Sequence, residues 1–122
     1  MEQFLLIFVG GGLGSICRHL VSKFVSQSFE GYYPFGTLTV NLIGCFLIGV
    51  LIGVIEKYSI HQNWRFLFVT GFCGGFTTFS TFSYENWIFM RNLQYKALFS
   101  YVFASLVGGF WATFFGFWLV RK

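Results

Sequence analysis

The segment from Gly71 to Glu85 concentrates the polar chemistry of this chain in an otherwise apolar region. It reads GFCGGFTTFSTFSYE and lies almost entirely within a stretch without charged residues, 66–84. Three glycines and six hydroxyl side chains make it a poor helix, yet at bilayer depth every backbone N–H and C=O must be satisfied inside the protein. A broken helix survives there only where it is buried in protein or lines a wet cavity. The residue types therefore indicate a site for a small ion, built from main-chain groups and dipoles.

The candidate ligands differ in the kind of ion that they suit. Asn41 offers two amide donors to an anion, and the hydroxyls of the segment offer more. Phe79 and Phe82 share a helix face if the chain is helical there, and their positive ring edges would help to hold an anion. Carbonyls freed by a break near residues 74–77 would instead suit a small hard cation. The alternatives are plain packing for the phenylalanines and an interhelical hydrogen bond for Asn41.

Two charged residues lie near the ends of apolar stretches. Glu85 is the only carboxylate near membrane depth outside the loops. Without a ring of inward carboxylates, a selective path for divalent cations is disfavoured. Arg18 lies toward the end of the first stretch, where it either snorkels to the membrane surface or draws anions into a vestibule.

Membrane-spanning helices are needed to position these residues. Charged residues are 10% of the 122 and hydrophobic residues 56%, whereas about 25% of an ordinary soluble domain is charged. A soluble domain of this size could not bury so much apolar surface. Four stretches approach the roughly 20 apolar residues that cross a bilayer. The sequence predicts an all-α membrane protein with one domain, residues 1–122, and a break in its third helix; the four spans lie near 4–25, 34–55, 66–90 and 97–120.

Cysteine usage and the scarcity of acid–base pairs argue against an enzyme. Cys17, Cys45 and Cys73 fall in three different spans, and buried cysteine usually packs as a small hydrophobic side chain. No paired carboxylates, nucleophile with a base, or metal-ligating cluster occurs at usable spacing. The net charge of +4 is spread over both membrane faces, so we expect contact with lipid headgroups and no nucleic-acid partner.

Basic residues are divided almost evenly between the two sides of the membrane. Orientation normally follows the side richer in lysine and arginine. The two groups are Lys57, Arg65, Arg121 and Lys122 on one side, and Lys23, Arg91, Lys96 with the nearby Arg18 on the other. The even count predicts insertion in both orientations, a dual topology whose natural assembly is an antiparallel dimer. The alternative explanation is that the loops are short, so that an even number of basic residues on the two sides arises by chance.

Small residues recur at every fourth position in the predicted helices. Pairs such as Gly10 with Gly14, and Gly49 with Gly53, allow helix backbones to approach closely in lipid. A single pair is often incidental, but pairs in all four helices predict a compact bundle.

Three segments together resemble the Fluc/CrcB fluoride channels. They are GGGLGSICR at Gly10–Arg18, PFGTLTVNLIGCFLIG at Pro34–Gly49 and GFCGGFTTFSTFSYE at Gly71–Glu85. The resemblance implies an antiparallel homodimer with two narrow pores, which exports fluoride passively across the cytoplasmic membrane and protects the cell from fluoride toxicity. It also implies a structural sodium ion at the dimer centre.

The resemblance assigns roles to individual residues. The backbone carbonyls of Gly74 and Thr77 would bind the sodium ion, and Arg18 would lie in the vestibule. The fluoride pore would be lined by Asn41, Phe79, Phe82, Ser80 and Thr81, with Glu85 and Thr113 as further polar positions. The chain departs from the family pattern at His19 and Gly109, which affects the vestibule and the polar lining of the fourth helix.

Alternatives stay open for the partner and for the function. The chain pairs either with a second copy of itself or with a diverged sister chain. A small dual-topology multidrug exporter would have the same length, span count and charge balance. Exporters of that kind have a membrane-embedded glutamate in their first helix. In this chain the corresponding region has only Glu2, which precedes the span. A non-transporting membrane scaffold would leave the hydroxyl-rich segment unexplained.

Overall fold

Helices account for most of the computed structural model, which describes all 122 residues. In chain order they are α1 (Glu2–Ser28), α2 (Phe35–Tyr58), α3 (Gln62–Trp64), a π-helical segment (Arg65–Cys73), α4 (Gly74–Phe76), α5 (Phe79–Arg91) and α6 (Tyr95–Arg121). The stretch Gln62–Arg91, which we term the third span, and the helices α1, α2 and α6 are each long and apolar enough to cross a membrane. The predicted all-α architecture, with four helices long and apolar enough to span a membrane, is confirmed.

The helices extend beyond the uncharged stretches of the sequence. α1 and α6 each contain 27 residues, and α2 contains 24. At about 1.5 Å per residue, 27 residues reach about 40 Å, which exceeds the roughly 30 Å of bilayer hydrocarbon. The observed bounds are therefore wider than those predicted from apolar residues alone, because helical hydrogen bonding continues into the polar ends.

Glycines set the packing of the spans against each other. A Cβ atom added to Gly14 of α1 would collide with the carbonyl oxygen of Phe72 in the third span. A Cβ atom on Gly49 of α2 would collide with the carbonyl oxygen of Thr113 in α6. Backbone thus approaches backbone at both places, so that α1 packs against the third span and α2 against α6. The predicted compact bundle is confirmed.

Gly14→Ala should destabilise the bundle, whereas Gly12→Ala on the same helix should not. A methyl group on Gly14 would meet the Phe72 oxygen and also lie 2.9 Å from the Phe76 backbone nitrogen, and rigid backbone cannot move aside cheaply. Overpacking of this kind costs about 1–3 kcal/mol. No atom lies within 4 Å of a Cβ on Gly12. Thermal unfolding in detergent checks the prediction, and equal stability of the two variants would contradict the close contact.

The third span is not one regular helix. Residues Arg65–Cys73 are π-helical, a rare conformation that is frequent at functional sites. After α4, Thr77 and Thr78 are extended, with φ/ψ of −82°/156° and −147°/115°. The non-helical turn was predicted at residues 74–77, but Gly74 to Phe76 are helical and the extended residues are Thr77 and Thr78. Gly75 serves packing instead, since a Cβ atom there would collide with the Gly11 carbonyl oxygen of α1.

Candidate functional site

A side chain of α2 hydrogen-bonds to the main chain where the third span is interrupted. The amide oxygen of Asn41 accepts a hydrogen bond from the backbone N–H of Thr78 at 2.8 Å, and its amide nitrogen donates to the Thr78 carbonyl oxygen at 3.1 Å. Thr78 is extended and stands at the N-cap of α5, and its main-chain N–H and C=O make no hydrogen bond other than these two. Asn41 therefore satisfies, at membrane depth, backbone groups that would otherwise be unpaired.

The hydroxyl of Thr78 caps the N-terminus of the next helix, α5. Thr78 Oγ1 accepts from the backbone N–H of Thr81 at 3.2 Å, which caps α5, and donates to Thr81 Oγ1 at 3.1 Å. Ser80 Oγ lies 3.3 Å from the same oxygen. The structure thus brings Ser80 and Thr81 together with Asn41 through Thr78, which was not among the predicted site residues.

A cavity of about 520 Å³ lies beside this network, between α2, the third span and α6. The predicted site residues that line it are Asn41, Gly74, Thr77, Phe79 and Phe82. Its wall is incomplete on one side, because Phe79 is 76% exposed and Leu106, from α6, is 62% exposed. The cavity therefore combines amide, hydroxyl and aromatic groups on a face that the chain leaves open.

The backbone carbonyls of Gly74 and Thr77, near the interruption of the third span, accept no hydrogen bond. The Cys73 carbonyl oxygen accepts from the N–H of Thr77 at 3.0 Å and from the Thr77 hydroxyl at 2.9 Å. The carbonyl oxygens of Gly74 and Thr77 are left without a donor. Carbonyl oxygen suits hard cations, so the donor set fits the type of ion predicted for it. Two oxygens from one chain do not enclose an ion, and the chain has no cluster of three metal-ligating side chains.

Phe79 and Phe82 lie together at the start of α5. Their ring centroids are 5.7 Å apart, and their planes are inclined by 45°. Phe82 also packs against Tyr101 of α6, with centroids 5.1 Å apart, and Tyr101 is fully buried. Contacts within the chain therefore fix the ring of Phe82, whereas the ring of Phe79 stands on the open side of the cavity.

Glu85 makes its hydrogen bonds away from the cavity. Its Oε1 accepts from the hydroxyl of Tyr101 at 2.9 Å, and its Oε2 accepts from the hydroxyl of Thr37 at 3.1 Å. Glu85 does not line the cavity that contains Asn41. The structure thus places this carboxylate between α2, α5 and α6, where it supports Tyr101 and, through it, Phe82.

Thr113 lies outside the first cavity. Its hydroxyl donates to the Cys45 carbonyl oxygen of α2 at 3.0 Å, and it lines a second cavity of about 640 Å³. Ser105 lines both cavities, and its hydroxyl is buried without a hydrogen-bond partner. Tyr101, Ser105, Gly109 and Thr113 follow one another at four-residue spacing on α6. This spacing puts them on one face, a signal by which the sequence could have identified Tyr101 and Ser105.

Arg18 lies at a smaller and more polar pocket, of about 250 Å³. Two basic side chains, four hydroxyls and one apolar side chain line it: Arg18, His19, Ser22, Thr37, Thr78, Thr81 and Val40. Thr78 lines this pocket and the first cavity alike. The residue predicted for the vestibule and those predicted for the pore therefore meet on two sides of Thr78.

Nearly the whole sequence matches a known family. Residues 5–117 match the family model described as CrcB-like protein, Camphor Resistance (CrcB). The chain belongs to this family. The match covers the three segments whose resemblance was noted above, and it extends through α6, so the CrcB resemblance is confirmed along the chain.

Relatives of this CrcB-family chain carry the name fluoride-specific ion channel FluC. The protein of Gloeothece citriformis is 48% identical over 122 residues, which cover 100% of this chain and 99% of the relative. That of Leptospira interrogans is 41% identical, with 99% and 96% covered, and that of Thermosipho melanesiensis is 44% identical, with 98% and 96% covered. The prediction that the chain is not an enzyme is confirmed, because the family is one of ion channels.

Proposed function

We propose that this chain is a subunit of a fluoride-selective channel, in which the ion passes beside Asn41, Phe79 and Phe82. The observation that carries the proposal is the first cavity, where amide, hydroxyl and aromatic groups converge without a carboxylate. A permeating anion needs donors that replace its water without trapping it. Neutral donors and ring edges meet this need, since they attract the ion less strongly than a fixed positive charge. The names of the relatives support fluoride as the anion.

A second copy of the chain, in antiparallel orientation, would complete the channel. The cavity is open where Phe79 and Leu106 are exposed, and another chain on this face would close it into a pore. The even division of basic residues between the two sides supports insertion in both orientations. A two-fold pair would contain two such cavities. A diverged sister subunit with the same face is the alternative partner.

A structural sodium ion at the dimer centre is part of the proposal. The free carbonyl oxygens of Gly74 and Thr77 would hold it, with each copy contributing one pair. The positive charge would offset the repulsion among these carbonyl dipoles and hold the two interrupted spans against each other. One chain offers too few free carbonyl oxygens to enclose the ion, so a second chain would have to supply further ligands.

In the cell, such a channel would export fluoride passively across the cell membrane and limit its toxicity. The direct test is efflux from liposomes that contain only the purified protein. Fluoride should leave rapidly while chloride is retained, as measured with ion-selective electrodes against protein-free liposomes. Chloride efflux at a similar rate would refute the selectivity, and absence of fluoride efflux would refute the channel.

The two orientations should be populated in comparable amounts. A reporter fused after Lys122 should be detected on both sides of the membrane, because neither side is enriched in lysine and arginine. Two or three lysines added at the C-terminus should bias insertion toward one side and reduce fluoride efflux when that variant is expressed alone. Detection of the unmodified protein in a single orientation would contradict dual topology.

A further inference from the structure

Asn41 pairs with the main chain of Thr78 as a neighbouring β-strand would. The side chain accepts the Thr78 N–H at 2.8 Å and donates to the Thr78 C=O at 3.1 Å. This double contact fixes the orientation of the amide, because a flipped amide would set donor against donor and acceptor against acceptor. One of the two amide hydrogens is therefore committed to Thr78, and only the other is available to an ion.

No other group of the chain replaces this pairing. Thr78 is only 8% exposed, and its hydroxyl is engaged with the first turn of α5 through Thr81. Its main-chain N–H and C=O make no hydrogen bond apart from those with Asn41. Unpaired backbone groups are strongly unfavourable at membrane depth. Loss of the Asn41 amide would therefore drive the main chain at Thr78 toward other partners.

The main chain at Thr78 connects the groups that the proposed channel uses. Thr77, whose carbonyl oxygen is free, directly precedes it, and Phe79, the first residue of α5, directly follows it. A displacement of Thr78 would consequently move the Thr77 carbonyl and the Phe79 ring together.

We infer that Asn41 is a positioning residue that holds the extended Thr78 against α2 and thereby sets where α5 begins. Its consequence for fluoride conduction rests on the proposed function. The side-chain amide provides the same donor and acceptor that a backbone amide would. Asn41 is therefore required to hold Thr78 in place, whether or not its second amide hydrogen contacts the ion. The Thr78 N–H needs an acceptor and the Thr78 C=O needs a donor, and a carboxamide supplies both from one side chain.

Two substitutions separate positioning from direct contact with the ion. Asn41→Ala removes both hydrogen bonds. Asn41→Asp keeps an oxygen for the Thr78 N–H but turns its other oxygen toward the Thr78 carbonyl. Asn92→Asp is the matched control, because it makes the same chemical change at an exposed residue in the turn after α5.

Each variant is measured in two ways. Proton-detected NMR of the full protein in lipid gives the hydrogen-exchange rate of the Thr78 amide, and liposome efflux gives the fluoride flux. In the wild type, the Thr78 amide should exchange slowly although it lies in no helix. Asn41→Ala should speed this exchange by roughly tenfold and lower the flux by a similar factor, since about 1.4 kcal/mol corresponds to tenfold and one hydrogen bond approaches that value.

The aspartate variant should give a different pattern. Asn41→Asp should keep the Thr78 amide protected and still lose most of the fluoride flux, because the Thr78 carbonyl is repelled. Asn92→Asp should match the wild type in both measurements. If Asn41→Ala does not assemble, Asn41→Asp decides alone, and fast Thr78 exchange in that variant would overturn the inference.

Two further results would overturn it. Unchanged Thr78 exchange in Asn41→Ala, with the flux lost, would show that Asn41 acts on the ion alone. Wild-type flux in Asn41→Ala, with fast Thr78 exchange, would show that the pairing has no role in conduction. A wild-type protein without fluoride flux would refute the proposed function instead, and the Thr78 exchange rates would still decide whether the pair exists.

Discussion

Replacing Gly74 with leucine should prevent dimer assembly and abolish fluoride efflux, while the helices of the single chain stay folded. Gly74 is exposed beside the open cavity, and a Cβ atom there would meet nothing closer than the Val69 carbonyl oxygen at 3.9 Å. The chain itself therefore has room for a side chain. In the proposed dimer, however, this position lies at the centre, where a leucine would keep the two copies and their carbonyl oxygens apart.

Gly12→Leu is the matched control for this experiment. Gly12 is also exposed, and no atom lies within 4 Å of an added Cβ, but it belongs to α1 and lines none of the cavities described above. Size-exclusion chromatography in detergent reports the assembly, and circular dichroism reports the helix content. Gly74→Leu should elute as a monomer with unchanged helicity, and Gly12→Leu as a dimer. A Gly74→Leu protein that is dimeric and conducts fluoride would contradict both the central position and the sodium site.

Phe79→Ile and Phe82→Ile should each lower fluoride efflux by up to about tenfold and leave the dimer assembled. Isoleucine keeps bulk and apolarity but has no ring edge, which carries the positive end of the aromatic quadrupole. The same quadrupole makes edge-to-face pairs of rings worth about 0.5–1.5 kcal/mol beyond burial. A ring–anion attraction at the upper end of that range corresponds to about tenfold. The comparison therefore separates an attraction between ring and anion from simple packing.

Phe8→Ile is the control for the two ring variants, because Phe8 is an exposed residue of α1 that lines none of the described cavities. It should leave the efflux unchanged. Fluoride efflux measured with an electrode, at equal amounts of reconstituted dimer, checks all three variants. Full efflux from Phe79→Ile and Phe82→Ile, alongside an inactive Asn41→Asp, would keep the role of Asn41 and refute that of the phenylalanines.

The number of spans was predictable from the sequence because it follows from a local property. About 20 residues without charge are what the hydrocarbon thickness requires. That Asn41 hydrogen-bonds within the protein was also indicated by residue type, since a polar side chain at membrane depth needs a partner. Its convergence with the segment Gly71–Glu85 follows from the few polar groups available there.

The place of the interruption was not predictable in the same way. Glycine conformational freedom suggested residues 74–77, but Gly75 is required for the close approach of α1. The residue that is extended and buried, Thr78, is bonded to a side chain 37 positions earlier in the chain. A pairing at that distance leaves no local pattern. The hydrogen bonds of Glu85 to Tyr101 and Thr37, which lie on two other helices, leave no local pattern either.

The glycine contacts pair the spans in an interleaved order, and this order bears on how the protein is made. Gly14 of α1 packs against the third span and Gly49 of α2 against α6, although Gly36, near the start of α2, also lies against the backbone of α1 at Ser22. The contact of Gly49 with α6 can form only after the last helix has been synthesised. Completion of the folded subunit is thus postponed to the end of translation. For the dual topology proposed above, the newly made chain would still be able to adopt either orientation until the last helix packs.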